Sequence, residues 1–215
     1  VGSQIVALAS EMEEPALKIT RAFAGLPPEI AGPVRITTTE VVATEILTPM
    51  LPKFAAKFPE IDLEILVGQS NLSLARREAD IALRLGRPTE GDLFSRRLAE
   101  LVYYLYASRA YLERTKPEDY GYVGYCEVPH ISAEVEALSQ ICNDSQIVFR
   151  TNHIYTRRAA VAHGLGMGLL PRCFAEGFKD LKAVADEPLI VRELWLIVHR
   201  GLRAVPRIRE CIDSL

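Results

Sequence analysis

Two segments of the chain deliver polar side chains to the point where a strand pattern gives way to a helix pattern. Val34–Ile36 runs into Thr37, Thr38 and Thr39, and a helical pattern starts at Glu40. Gln146–Arg150 (QIVFR) runs into Thr151 and Asn152, and a second helical pattern continues to His163. A helix start offers unpaired backbone N–H groups and the positive end of the helix dipole, which suits a carboxylate, sulfate or phosphate. Hydroxyls and amides placed there add neutral donors and acceptors. Gln69 and Ser70, just past the strand Ile61–Val67, reach the same edge if the sheet is parallel, because open α/β sheets bind ligands beyond the carboxyl ends of their strands. Arg84 and Leu85 end the strand Asp80–Leu85, and Arg150 ends QIVFR. An arginine in an apolar strand run meets either a ligand carboxylate or an internal acid.

Local structure competes for the same residues. Thr37-x-x-Glu40 fits a capping box, in which Thr37 bonds the Glu40 amide and Glu40 bonds back. Thr151 or Asn152 can serve as a plain N-cap. Capping accounts for one threonine of the run and does not explain three, so on spacing alone a ligand role and a local one both stay open for Thr38 and Thr39. Other chemistries find little support. The chain has no G-x-G-x-x-G, Walker loop, G-x-S-x-G or H-E-x-x-H. Gly164–Gly168 (GLGMG) follows a helix and precedes a strand, the reverse of a phosphate loop, and reads as a helix cap and tight turn. Cys126 and His130 have no second pair of metal ligands beside them, and no metal or cofactor is expected. His163 sits at a helix end, where a positive imidazole is favoured; the other histidines lack a nucleophile or acid partner. Arg96-Arg97 and Arg157-Arg158 read as solvated faces. No enzyme is indicated.

The elements that must position these residues alternate strand and helix, which argues for α/β lobes with largely parallel sheets. Strands are expected at Val34–Ile36, Ile61–Val67, Asp80–Leu85, Leu98–Ser108, Tyr122–Tyr125, Gln146–Arg150, Gly166–Leu170 and Glu193–His199. Helices are expected at Glu40–Phe58, Leu72–Glu78, Ala133–Cys142, Thr151–His163 and Pro206–Leu215, with Pro49 and Pro52 bending the first. Residues 4–24 carry one apolar helical stripe, and GLPPEIAGP (25–33) reads as a linker. The 215 residues suit one large domain or two small lobes, and a net charge of −3 lacks the basic excess of a nucleic-acid-binding surface. Four widely spaced cysteines without C-x-x-C suggest free, mostly buried thiols in a reducing cytoplasm. No apolar run approaches the ~20 residues that span a bilayer.

Taken in order, GPVRITTTEVVATEILTPMLPKFAAKFPEIDLEILVG, ADIALRLG, AAVAHGLGMGLLP and the terminal strand and helix ending IRECIDSL resemble the effector-binding domain of LysR-type transcriptional regulators. The resemblance covers residues 32–215, and residues 1–31 resemble the end of that family's linker helix and the linker. It implies two Rossmann-like lobes joined by two crossover strands, a type 2 periplasmic-binding-protein-like fold. Lobe one would be 32–107 plus 186–215 and lobe two 108–185. A small effector, an organic anion or amino-acid-like molecule, would bind between them through Thr37, Thr38, Thr39, Gln69, Ser70, Arg84, Leu85, Thr151 and Asn152. The resemblance also implies a homodimer or homotetramer that meets DNA only through an N-terminal winged helix-turn-helix, which this sequence does not contain. In such a dimer Val41–Phe58 would lie against the partner's Thr151–His163. A periplasmic solute-binding protein is the alternative on the same architecture.

Overall fold

The computed structural model describes residues 30–68, 79–88, 92–126 and 132–215. The expected helices at 4–24 and Leu72–Glu78, the pair Gln69 and Ser70, and His130 lie outside the described residues.

The strands are β1 (Gly32–Thr38), β2 (Ile61–Val67), β3 (Ile81–Leu85), β4 (Leu93–Ser108), β5 (Tyr122–Gly124), β6 (Ile147–Arg150), β7 (Met167–Pro171), β8 (Leu181–Ala183) and β9 (Ile190–His199). They form one sheet in the order β2-β1-β3-β9-β4-β7-β5-β6, with β8 added to β4. β1 runs parallel to β2 and β3, and β5 runs parallel to β6 and β7. The expectation of largely parallel pairing holds only inside these two halves. β9 is antiparallel to β3, and β4 is antiparallel to β7, β8 and β9. The reason is topological: β4 carries the chain out of the first half and β9 brings it back, so the two run oppositely. β4 is also longer than the expected Leu98–Ser108, because its first residues pair with the end of β9.

The helices are α1 (Thr48–Lys57), α2 (Arg109–Arg114), α3 (Ser132–Ser139), α4 (Ile154–Ala162), α5 (Arg172–Ala175) and α6 (Pro206–Ser214). A π-helical segment, Val42–Leu47, precedes α1. The prolines explain it. Pro49 has no N–H to give the Glu45 carbonyl, and Pro52 none for Thr48, so a regular ladder cannot form. The turn widens instead: the Thr48 N–H bonds Ala43 O, five residues back, and Thr48 Oγ1 bonds the same oxygen at 2.8 Å. α4 ends in a Schellman motif, with Gly164 N–H on Val161 O, Leu165 N–H on Ala160 O and Gly164 at φ +72°.

Each half has its own core. Val34, Ile36, Leu83, Leu194, Leu196 and Ile208 cluster in the first half, and Tyr106, Val123, Val161, Leu170 and Phe174 in the second. Val41, from the first half, packs into the second cluster, and Tyr155 of α4 donates to Thr44 Oγ1 at 2.9 Å. The halves therefore touch along one side of the sheet, where the π-helical segment meets α4. The thiols are free, as expected, but only Cys211 is buried; Cys126 and Cys173 are exposed. Burial pushes the Cys211 thiol up to about 12, which leaves it protonated and unreactive near neutral pH.

The glycine run also holds the second half together. A Cβ on Gly166 would stand 2.6 Å from the backbone oxygen of Gly121, which cannot yield as a side chain can. Gly166→Ala is expected to destabilise the chain by about 1–3 kcal/mol. Gly177→Ala, where an added Cβ meets nothing within 4 Å, should melt close to the parent, and parallel thermal melts of the pair check this.

Candidate functional site

The threonine run occupies the carboxyl end of β1 and the start of the following helix. Thr37 and Thr38 are fully buried. Thr39 O accepts the first helical N–H, from Ala43, at 3.0 Å, so Thr39 stands at the N-cap position. The expected capping box does not form. Thr37 lies inside the strand, and its Oγ1 accepts from Arg84 Nη2 at 2.9 Å. Arg84 comes from the end of β3, which pairs with β1 and so places the guanidinium beside the threonines. The Thr38 and Thr39 hydroxyls are buried with no hydrogen-bond partner, and so is Glu40 Oε2.

The second polar junction lies across from the first. Thr151 is buried; its Oγ1 accepts from the His153 N–H at 3.1 Å and its carbonyl from Arg157 Nη2 at 2.7 Å. The N-cap of α4 is His153, not Thr151 or Asn152, and its Nδ1 accepts from the Thr156 N–H. The His153 ring also faces the first junction, with Nε2 3.3 Å from Glu40 Oε1. Arg157 was read from the sequence as solvated, and the structure overturns that: it is 3% exposed and lies 3.5 Å over the Tyr125 ring. Ile154, Arg157 and Val161 share one face of α4 at helical spacing, and that signal could have found it. Arg158 is also not free in solvent but packs against Phe174 and Phe178 at 3.8 and 3.9 Å. Arg150 points away, pairing with exposed Asp144.

Between the junctions is a cavity of about 130 Å³. The first half supplies Thr39, Glu40, Gly68, Arg84 and Leu85, the second half Tyr125, Glu134, Asn152 and Arg157, and β4 contributes Tyr103. The structure thus brings Thr39, Arg84, Leu85 and Asn152 to one cavity. Thr37 and Thr151 do not line it but accept from its wall residues Arg84 and Arg157, and Thr38 does not line it. Sequence reasoning missed Glu40 as a cavity residue, having given it only a capping-box role, together with Tyr103, Tyr125 and Glu134. Glu134 shares a buried face with Ala137 and Leu138 of α3, the only sequence signal it carries. Its carboxylate is neutralised by Arg192 of β9 at 2.6 Å, and Arg192 also donates to Leu85 O at 2.6 Å.

Arg84 and Arg157 have no carboxylate within 4.0 Å among the described residues. Burial pulls both guanidinium pKa values down, yet arginine stays charged at neutral pH. Desolvation raises Tyr103 and Tyr125, which therefore stay as neutral phenols. A larger cavity of about 430 Å³ lies between α1 and α6, but its walls are mainly apolar, including Leu47, Phe54, Ile65 and Leu215. The polar groups able to orient a ligand converge on the smaller one.

Residues 28–215 match the family described as LysR substrate binding domain. The chain belongs to that family. This LysR substrate-binding domain is 30% identical over 182 residues to the Mau operon transcriptional activator of Paracoccus denitrificans, a match covering 82% of the chain and 61% of the relative. It therefore spans under two thirds of that relative's length. The AmpR effector binding domain of Citrobacter freundii superposes with a TM-score of 0.70 at 16% identity, covering 85% of this chain and 96% of that one. The regulatory domain of CrgA, a LysR-type transcriptional regulator of Neisseria meningitidis, gives 0.69 at 19% identity, covering 85% and 96%. These likenesses establish the fold as the type 2 periplasmic-binding-protein-like arrangement. The curated relatives are transcriptional regulators, so the solute-binding alternative is not favoured. Among the described residues no helix is long and apolar enough to cross a membrane.

Proposed function

We propose that this domain is the effector-sensing part of a cytoplasmic LysR-type transcriptional regulator. In that reading it binds a small organic anion or amino-acid-like metabolite in the cleft between the lobes 32–107 plus 186–215 and 108–185. One observation carries it. Of the six buried side-chain atoms without a hydrogen-bond partner among the described residues, three belong to residues lining this cleft, Thr39 Oγ1, Glu40 Oε2 and Arg157 Nε, and a fourth, Thr38 Oγ1, to the residue next to Thr39 in the chain. Each such atom costs about 1–3 kcal/mol of uncompensated desolvation, so a ligand that satisfies them gains what the empty domain forgoes. The volume is below the ~300–1,000 Å³ of drug-sized pockets, which suits a small metabolite.

Three of these atoms belong to the first half and Arg157 to the second. A ligand that engages both favours the arrangement in which the halves are close, and it shifts the population by its difference in affinity for the two arrangements. In the intact homodimer or homotetramer, that shift would reset the spacing of N-terminal DNA-binding domains. Gln69 and Ser70, which follow β2, are carried in the proposal as further contacts. No bond is made or broken.

The test is a thermal-shift screen of small organic acids followed by calorimetry. Thr38→Ala/Thr39→Ala and Arg84→Gln should each weaken the best binder by about tenfold or more, the loss expected when a charge-assisted or buried hydrogen bond is removed. Unchanged affinity in both variants would overturn the reading.

A further inference from the structure

The unpartnered groups of the cleft are not all of one kind. Arg157 Nε is a donor and needs an acceptor, whereas Glu40 Oε2 is an acceptor and needs a donor. The carboxylate of Glu40 also has no lysine or arginine within 4.0 Å among the described residues. Its one ion-pair neighbour among the described residues is the His153 ring, 3.3 Å away. That ring caps α4 by accepting the Thr156 N–H at Nδ1. The Thr156 hydroxyl lies 2.9 Å from the same nitrogen, so Nε2 is the ring atom left facing Glu40. Glu40 Oε1 thus meets a half-exposed ring nitrogen, while Oε2 meets no donor. The other carboxylate of the cavity, Glu134, is already neutralised by Arg192.

The cavity therefore sets two guanidiniums without carboxylates, Arg84 and Arg157, against one carboxylate without a lysine or arginine partner among the described residues. A plain organic anion would satisfy the arginines but leave Glu40 Oε2 without a donor and beside a like charge. A hydroxy acid would supply a donor to Glu40 but leave its charge standing. A protonated amine supplies both the donor and the charge. We infer that the ligand is a small carboxylic acid bearing a protonated amino group, and that Glu40 is the residue that reads the amino group while Arg84 and Arg157 take the carboxylate. The cavity of about 130 Å³ restricts the candidates to short side chains. This inference rests on the cleft being the effector site.

The experiment titrates the 215-residue chain calorimetrically with matched probes: glycine, L-alanine, L-serine and L-aspartate against acetate, propionate, 3-hydroxypropionate and succinate, with L-lactate as the hydroxy-acid probe. At least one amino compound should bind saturably, and its counterpart without the amino group should bind about 100-fold more weakly or worse. Glu40→Gln keeps the shape and removes the charge; it should collapse that preference to within about threefold while leaving the counterpart's affinity unchanged or improved. Glu40→Asp, which keeps the charge on a shorter stem, should retain part of the preference. Arg84→Gln should weaken both members of a pair alike.

An equal affinity for amino and deamino partners overturns the inference, as does a preference that survives Glu40→Gln, or no saturable binding by any amino compound. If binding does occur but Arg84→Gln and Thr38→Ala/Thr39→Ala both leave it untouched, the reading of the cleft itself fails, and the two failures are thereby told apart.

Discussion

Arg192→Met lowers the melting temperature of this domain by about 10 °C. Arg192 stands on β9, where the chain returns between the halves, and it bonds two residues that line the cleft. It bonds Glu134 Oε2 of α3 and Leu85 O at the end of β3, each at 2.6 Å. The side chains are 15% and 5% exposed, so the pair is screened little by solvent. Methionine fills most of the volume but leaves the Glu134 charge buried and unpaired, which costs about 3–5 kcal/mol. For a chain of this size, 1 kcal/mol is worth roughly 2–4 °C. The double variant Arg192→Met/Glu134→Leu removes both charges and should recover much of the loss, because a well-packed apolar pair can match a buried ion pair. Scanning calorimetry of the three proteins checks this. A single variant melting within about 2 °C of the parent would show that the pair is not sealed from water as the structure has it.

Arg157→Met should leave the domain folded and weaken an anionic ligand by about two to three orders of magnitude. The guanidinium is held in place from two sides, by the Tyr125 ring 3.5 Å away and by Thr151 O at 2.7 Å. Its Nε faces no partner. Truncating one member of a buried, hydrogen-bonded charge pair costs about 2–5 kcal/mol of binding. Methionine keeps an unbranched stem against Tyr125, so the melting temperature should change less than for Arg192→Met. Arg157→Lys is the sharper comparison. It keeps the charge but not the planar fork that stacks on a ring and donates in two directions, and it should lose about tenfold. Calorimetry with the ligand found by screening gives both numbers, and a wild-type affinity for Arg157→Met would remove Arg157 from the site.

Much of the scaffold was readable because its causes are local. Gly164 following His163 announced the end of α4, and the Schellman bonds need only residues within one turn. Pro49 and Pro52 signalled a bent helix, although not that the bend would be a π-helical turn closed by Thr48. The short parallel strands followed from alternation with helices. The antiparallel course of β4 and β9 did not, since strand direction depends on how the halves are threaded and not on the residues of either strand.

The site divided along the same line. The residue pattern was enough to show that two strand ends carry hydroxyl and amide side chains into helix starts, and that Arg84 closes an apolar strand between them. What each of these groups does follows from the folded arrangement. Thr37 is occupied by an arginine 47 residues away and caps nothing, while Thr38 and Thr39 are sealed in without partners. Arg157 turns inward onto Tyr125, and Glu40 faces the His153 ring on the opposite half. The physical reason is the range of the forces concerned. Capping, proline exclusion and helical periodicity act within a few residues. Whether a buried donor or charge is satisfied is settled by side chains that the fold brings from distant strands.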